Sequence, residues 1–257
     1  MTPAVPVSGW AWVKRGFALF RRQPAELLTL FFAYMFMNMA IGLIPVLGQI
    51  LPFILIPVFA MSFMEACECI EREEKVSPKL LLVAFRAPAL RRLLALGVLY
   101  LPAIAAAIFI SSWFDGGALY EFLTSTEAFD PKDLPADRLF SGMLAAALAY
   151  VPALMAFWFA APLIMWKNMS VGKALFYSFF SVWRAGRTFL AFAGVWMLIA
   201  GIVPTIVSVI IAIIIGDPRL VVLLMMPASA LLTTVLYCSF YPTYRDTFGQ
   251  PGVDTHA

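Results

Sequence analysis

Apolar residues run almost unbroken over six stretches of this chain, at about 25–45, 49–69, 93–113, 140–166, 188–215 and 220–242. Each is long enough to cross a hydrocarbon core about 30 Å thick as an α-helix. No ionisable residue sits at the centre of any of them. Strands of a membrane barrel would alternate apolar and polar residues, and "VLYLPAIAAAIFISSW" does not. The pattern predicts an all-α, polytopic membrane protein with six transmembrane helices.

Between the apolar stretches the pattern changes period. Trp10, Val13, Phe17 and Phe20 recur at helical steps, while Lys14, Arg15, Arg21 and Arg22 avoid that stripe. Later, Leu175, Phe179, Val182 and Trp183 share one side of a helix, with Lys173, Tyr177, Ser181 and Arg184 on the other. Such spacing predicts amphipathic helices lying in the plane of the membrane. Each ends in an aromatic, arginine, then Pro or Gly, before an apolar stretch: "FRRQPAELLTLFF", "FRAPALRRLLALGVLY" and "WRAGRTFLAFAGVW". The middle lead-in, "SPKLLLVAFRAPALRR", has the weakest periodicity. Pro57, Pro152 and Pro227 each lie 15 residues before Arg72, Lys167 and Pro242. A proline inside a span frees a carbonyl and favours a kink. These correspondences predict three hairpin repeats in one domain over 1–248, with units at about 8–72, 77–167 and 172–245. In each, an in-plane helix leads to a span out, a turn and a kinked span back.

Charge sets the direction. Of the eighteen Lys and Arg, fifteen flank one side of the predicted spans and Lys132, Arg138 and Arg219 the other. By the positive-inside rule both termini are expected in the cytoplasm of a bacterial inner-membrane protein. The first span is expected to serve as the targeting signal, since "MTPAVPVSGWAWVKRGF" lacks an apolar signal core. The loop at 114–139 carries six acids and is expected to be a solvated periplasmic surface, with "ALYEFLTSTEAF" able to form a short surface helix. The stretch 249–257 is expected to be a disordered tail.

The composition is 63% hydrophobic and 13% charged, against about 45–50% and 25% for soluble domains. Cys67, Cys69 and Cys238 read as small apolar side chains rather than a zinc site or a disulfide. The one histidine, His256, has no catalytic companion, and no Gly-rich phosphate loop or metalloprotease motif is present. No catalytic residue, metal ligand or cofactor is therefore expected. Nucleic acid is disfavoured because the cations spread along a membrane face.

Two groups of residues remain as candidates. Arg21, Arg22, Arg86, Arg91, Arg184 and Arg187 stand where in-plane helices meet spans. They snorkel to headgroups, and a juxtamembrane cation can contribute about 1 kcal/mol on an anionic leaflet. Asn38 is the most central polar residue of the first span, and Glu65, with Glu68 beside it, is the ionisable residue set deepest in an apolar run. Asn38 is expected to bond across helices. Glu65, sharing a helix face with Glu68 and Glu71, is expected to pair with an arginine of an in-plane helix.

"GWAWVKRGFALFRRQPAELLTLFFAYMF", "LPFILIPVFAMSFMEACECIEREEKVSP" and "GKALFYSFFSVWRAGRTFLAF" together resemble a family of uncharacterised proteobacterial inner-membrane proteins of six spans. That family is similar in plan to YciC-type proteins and to the membrane domain attached to some glycerophosphodiester phosphodiesterases. The resemblance implies a helical inner-membrane fold. It supplies no activity and no site residues.

Three functions fit this reading. The first is non-enzymatic handling of lipid or another amphiphile, or membrane maintenance, with anionic lipid as partner. The second is an accessory or scaffold subunit with a membrane-protein partner or a second copy of itself, for which "PAIAAAIF" and "GMLAAALAY" permit close helix approach. The third is a secondary transporter of an uncharged small molecule using a cavity between repeats, since repeats and kinked spans recur in transporters.

Overall fold

The computed structural model describes residues 8–45, 47–125, 136–216 and 218–251, and these are almost entirely helical. Six helices are long and apolar enough to cross a membrane: Pro24–Gly42, Leu47–Glu71, Leu90–Asp115, Ala136–Trp166, Gly186–Ile214 and Leu223–Phe248. They coincide with the six apolar stretches.

Helix α1 (Gly9–Arg22) starts at Ser8, whose hydroxyl caps the Ala11 amide at 3.3 Å. It stops at Gln23 because Pro24 keeps the preceding residue out of helical backbone, and Pro24 then opens α2 (Pro24–Gly42). A tight turn leads to α3 (Leu47–Glu71), which stays helical through Pro52 and Pro57. The chain reverses at Glu73, held in left-handed backbone at φ +62°.

The second lead-in differs from expectation. It consists of a 3-10 turn, Pro78–Leu82, and a four-residue α4 (Val83–Arg86) instead of a continuous helix. Pro88 holds Ala87 extended and cuts the segment short. Helix α5 (Leu90–Asp115) follows, then α6 (Ala118–Thr124). Asp115 is not a solvated surface acid. It is buried and accepts from the Gly117 amide at 2.8 Å and the Leu119 amide at 2.9 Å, capping α6. The acids Glu127, Asp130 and Asp133 lie outside the described residues.

The return helix of the second hairpin breaks at Trp158–Phe159, between α7 (Ala136–Phe157) and α8 (Ala160–Trp166), and not at Pro152. Helix α9 (Val171–Arg184) precedes α10 (Gly186–Trp196). A π segment, Met197–Ile202, joins α10 to α11 (Val203–Ile215). Helix α12 (Pro218–Phe248) runs through Pro227 and Pro242 to left-handed Gly249. Pro251 is buried, and the rest of the expected tail lies outside the described residues.

Helix α3 occupies the centre, against α2, α5, α8 and α12, and α5 packs along α7. Gly97 sets the α3–α5 crossing: a Cβ there would stand 1.9 Å from the Ile54 carbonyl oxygen. Helix α1 lies on α12 and α10, with Gly16 against Ser239. Its buried face is Trp12, Val13, Gly16, Leu19 and Phe20, whereas Trp10 of the expected stripe is exposed. In α9 the buried line is Ala174, Ser178 and Val182, and Trp183 is exposed. Close backbone approach and hydrogen bonding, rather than apolarity alone, chose both faces.

Candidate functional site

The basic end of the bundle is where α3 and α12 end and α1 crosses them. Along α3, Glu65, Glu68 and Glu71 form a ladder, each step reaching a neighbouring helix. Glu65 accepts from the Trp166 indole of α8. Glu68, buried, accepts from the Tyr241 hydroxyl and from Arg72 Nε at 2.9 Å. Glu71 pairs with Arg245. Glu65 is thus held by a tryptophan and not by an in-plane arginine. Desolvated carboxylates cost free energy unless their oxygens find donors, and α8 and α12 supply them. The Glu68 carboxylate also holds the exposed Arg72 guanidinium further toward its charged form.

On the other side of α12, Asp246 ties α1 down. It accepts from Trp12 Nε1 at 2.7 Å and from both terminal nitrogens of Arg15, the Nη1 contact at 2.9 Å. Such a fork is more directional than a lysine contact. Gln23 adds a tie that sequence reasoning missed. Its Nε2 donates to the Glu74 carbonyl at 2.7 Å, and its Oε1 accepts from the Val76 amide at 2.9 Å. The α1–α2 junction is thereby clamped to the segment after α3.

Among these ties a pocket of about 160 Å³ opens, lined by Arg15, Arg22, Leu19, Glu71, Tyr241 and Arg245. Arg15 and Arg245 carry carboxylate partners. Arg22 is exposed and makes no ion pair among the described residues. Three guanidinium groups converge where one lining residue, Glu71, is acidic. The arrangement suits an anion with several oxygens, because planar guanidinium forks match phosphate or carboxylate.

Of the six arginines expected to meet headgroups, Arg22 alone lines this pocket. Arg21, Arg86, Arg91, Arg184 and Arg187 are exposed elsewhere. Arg91's neighbour Arg92 is instead folded back onto the end of α8, donating to the Asn168 carbonyl at 2.9 Å and the Met169 carbonyl at 3.1 Å. Among the described residues Asn38 makes no interhelical bond: its Nδ2 donates at 3.0 Å to the Tyr34 carbonyl of its own helix. Sequence reasoning treated Arg15 and Arg245 only as topology markers. Arg15 and Arg22 are seven residues apart and so share a helix face, which was legible. Nothing local points to Arg245.

No family model matches the chain. No solved structure matches it either. The resemblance to YciC-type proteins therefore finds no support in these comparisons. A probable inner membrane protein of Burkholderia thailandensis is 38% identical over 253 residues, which span 95% of this chain and 93% of the relative.

Proposed function

The chain belongs to the family of that probable inner membrane protein and is itself a multi-pass membrane protein, and from this premise we propose that it handles lipid without enzymatic chemistry. The pocket of Arg15, Arg22 and Arg245 takes the anionic headgroup of a phospholipid. What carries the reading is Arg22, a cation with no ion-pair partner among the described residues, in a pocket with two further arginines. The excess of Lys and Arg at this end supports a cytoplasmic placement with both termini inside. Helices α1 and α9 then lie at the inner leaflet, and the matching left-handed residues Glu73, Asn168 and Gly249 after the return helices support a repeated unit.

The test is native mass spectrometry from nanodiscs mixing phosphatidylglycerol and phosphatidylcholine. Wild-type protein is expected to retain phosphatidylglycerol in preference. Arg22→Glu is expected to abolish that preference, and Arg91→Glu to leave it intact. Equal retention by all three proteins would overturn the reading.

A second reading, an accessory subunit, is favoured by a cleft of about 520 Å³ between α11 and α12. Small residues there, including Ala200, Gly201, Ala228 and Ser229, permit close approach by another helix. Mild crosslinking in native membranes tests it: a stoichiometric partner lost on Gly201→Leu supports the reading, and a chain that stays uncrosslinked counts against it.

A further inference from the structure

Separate from the arginine pocket, a cavity of about 240 Å³ lies between α3, α5, the α7–α8 break and α12. Rings make up about half of its wall, among them Phe63, Tyr100, Phe157, Trp158, Tyr237 and Phe240, and aliphatic side chains such as Ile56, Met64 and Leu154 the rest. The rings are held in pairs. Tyr100 stacks on Phe157 at 4.1 Å and 17°, Tyr237 stacks on Phe63 at 4.3 Å and 9°, and Trp158 meets Phe240 edge-on at 4.8 Å. No Asp, Glu, Lys or Arg lines the space.

The span that walls this cavity is broken beside it. Phe159's amide leaves the helical ladder and donates to Ser178 Oγ at 2.9 Å, and that hydroxyl donates to the Met155 carbonyl at 2.8 Å. Pro162 has no N–H to return to the Trp158 carbonyl. Irregular backbone at membrane depth is tolerated where it is buried in protein or lines a cavity, and interrupted spans mark binding sites in many membrane proteins. One polar side chain on the wall is uncommitted: Tyr100 lines the space, and its hydroxyl has no hydrogen-bond partner among the described residues.

Size and chemistry narrow the occupant. An apolar cavity of about 150 Å³ holds one benzene ring, so about 240 Å³ is room for two fused rings. Ring walls favour a flat guest by stacking. The absence of lining charge selects an uncharged one, and a phenol without a partner calls for an acceptor oxygen. We infer that this cavity binds an uncharged bicyclic ring bearing a carbonyl, of the naphthoquinone kind, drawn from the bilayer.

The probe is menadione, offered to the full-length protein in detergent and followed by equilibrium dialysis, with n-decanol as an acyl-chain competitor. Wild-type protein is expected to bind menadione saturably, one per chain, with n-decanol competing poorly. Ala161→Phe fills the cavity and is expected to abolish saturable binding at unchanged helical content. If that variant fails to fold, Ala60→Leu serves instead. Tyr100→Phe is expected to weaken binding about fivefold, the size of one lost hydrogen bond. Uptake that never saturates, or that the filled variant shares, reports partition into micelles and overturns the inference. Displacement by n-decanol at equal concentration would make the cavity an acyl-chain slot and overturn it as well.

Discussion

Helix α3 and the span formed by α10 and α11 cross the same bilayer under opposite conditions. In the most apolar 18-residue window of Leu47–Glu71, mean hydropathy is 2.0 and 56% of residues are buried. In the corresponding window of Gly186–Ile214, mean hydropathy is 2.8 and none is buried. The more apolar window is the one its own protein does not cover, while Phe189, Phe192 and Trp196 at the start of the same span are buried. Lipid tails are as apolar as leucine, so an uncovered span loses nothing. A central span can instead carry Ser62, Glu65, Glu68 and Glu71, because neighbouring helices satisfy them. Hydropathy therefore reports that a segment suits the membrane, and carboxylates within it, unlike the self-bonded hydroxyls of Thr205 and Ser208, report that neighbouring helices supply donors.

The largest test of that contrast is steric. Gly97→Leu drives a side chain into the Ile54 backbone and is expected to cost at least about 3 kcal/mol or prevent folding. Gly201→Leu, where nothing lies within 4 Å of an added Cβ, is expected to change stability by less than about 0.5 kcal/mol. Denaturant unfolding in mixed micelles measures both. Equal losses would break the distinction between protein-covered and lipid-covered spans.

A smaller effect is polar. Tyr241→Phe removes one donor from buried Glu68 and is expected to cost about 1–3 kcal/mol by the same unfolding measurement. Ser208→Ala, on the outer span, removes a bond only to its own helix and is expected to stay within about 0.5 kcal/mol.

Next comes the clamp beside α3. Gln23→Ala strands the Glu74 carbonyl and the Val76 amide, and is expected to cost about 1 kcal/mol. Hydrogen exchange at Val76 is expected to accelerate while exchange within α11 stays unchanged.

The smallest effect has the opposite sign. Glu73 reverses the chain after α3 in left-handed backbone, where Gly116 and Gly216 perform the same turn at the other ends. Glu73→Gly is expected to raise stability by about 0.5 kcal/mol, because relief of the left-handed penalty exceeds glycine's added unfolded-state entropy.

Within the site, legibility followed distance along the chain. The i, i+3 spacing of Glu65, Glu68 and Glu71 put them on one face, and the structure uses that face as a ladder. Their partners, Trp166, Tyr241 and Arg245, are about 100 to 174 positions away, where no local pattern reaches. Asn38 and Asp115 failed as expectations for a related reason. Each found a backbone group within four residues, which a short polar side chain reaches before any other helix.

By itself the sequence determined that the chain is helical, that six of its helices are long and apolar enough to span a bilayer, and which end of the bundle is basic. Those properties follow from the solvent: hydrocarbon requires backbone bonding within each segment and excludes uncompensated charge from its middle. Only the tertiary structure decided that α3 is central, that α1 turns Trp12 and not Trp10 inward, and that Arg22 gathers with Arg15 and Arg245. Only it decided that a cavity opens at the broken second hairpin. In lipid an apolar face has no preferred partner, so the choice among faces falls to close backbone approach and to hydrogen bonds between distant residues.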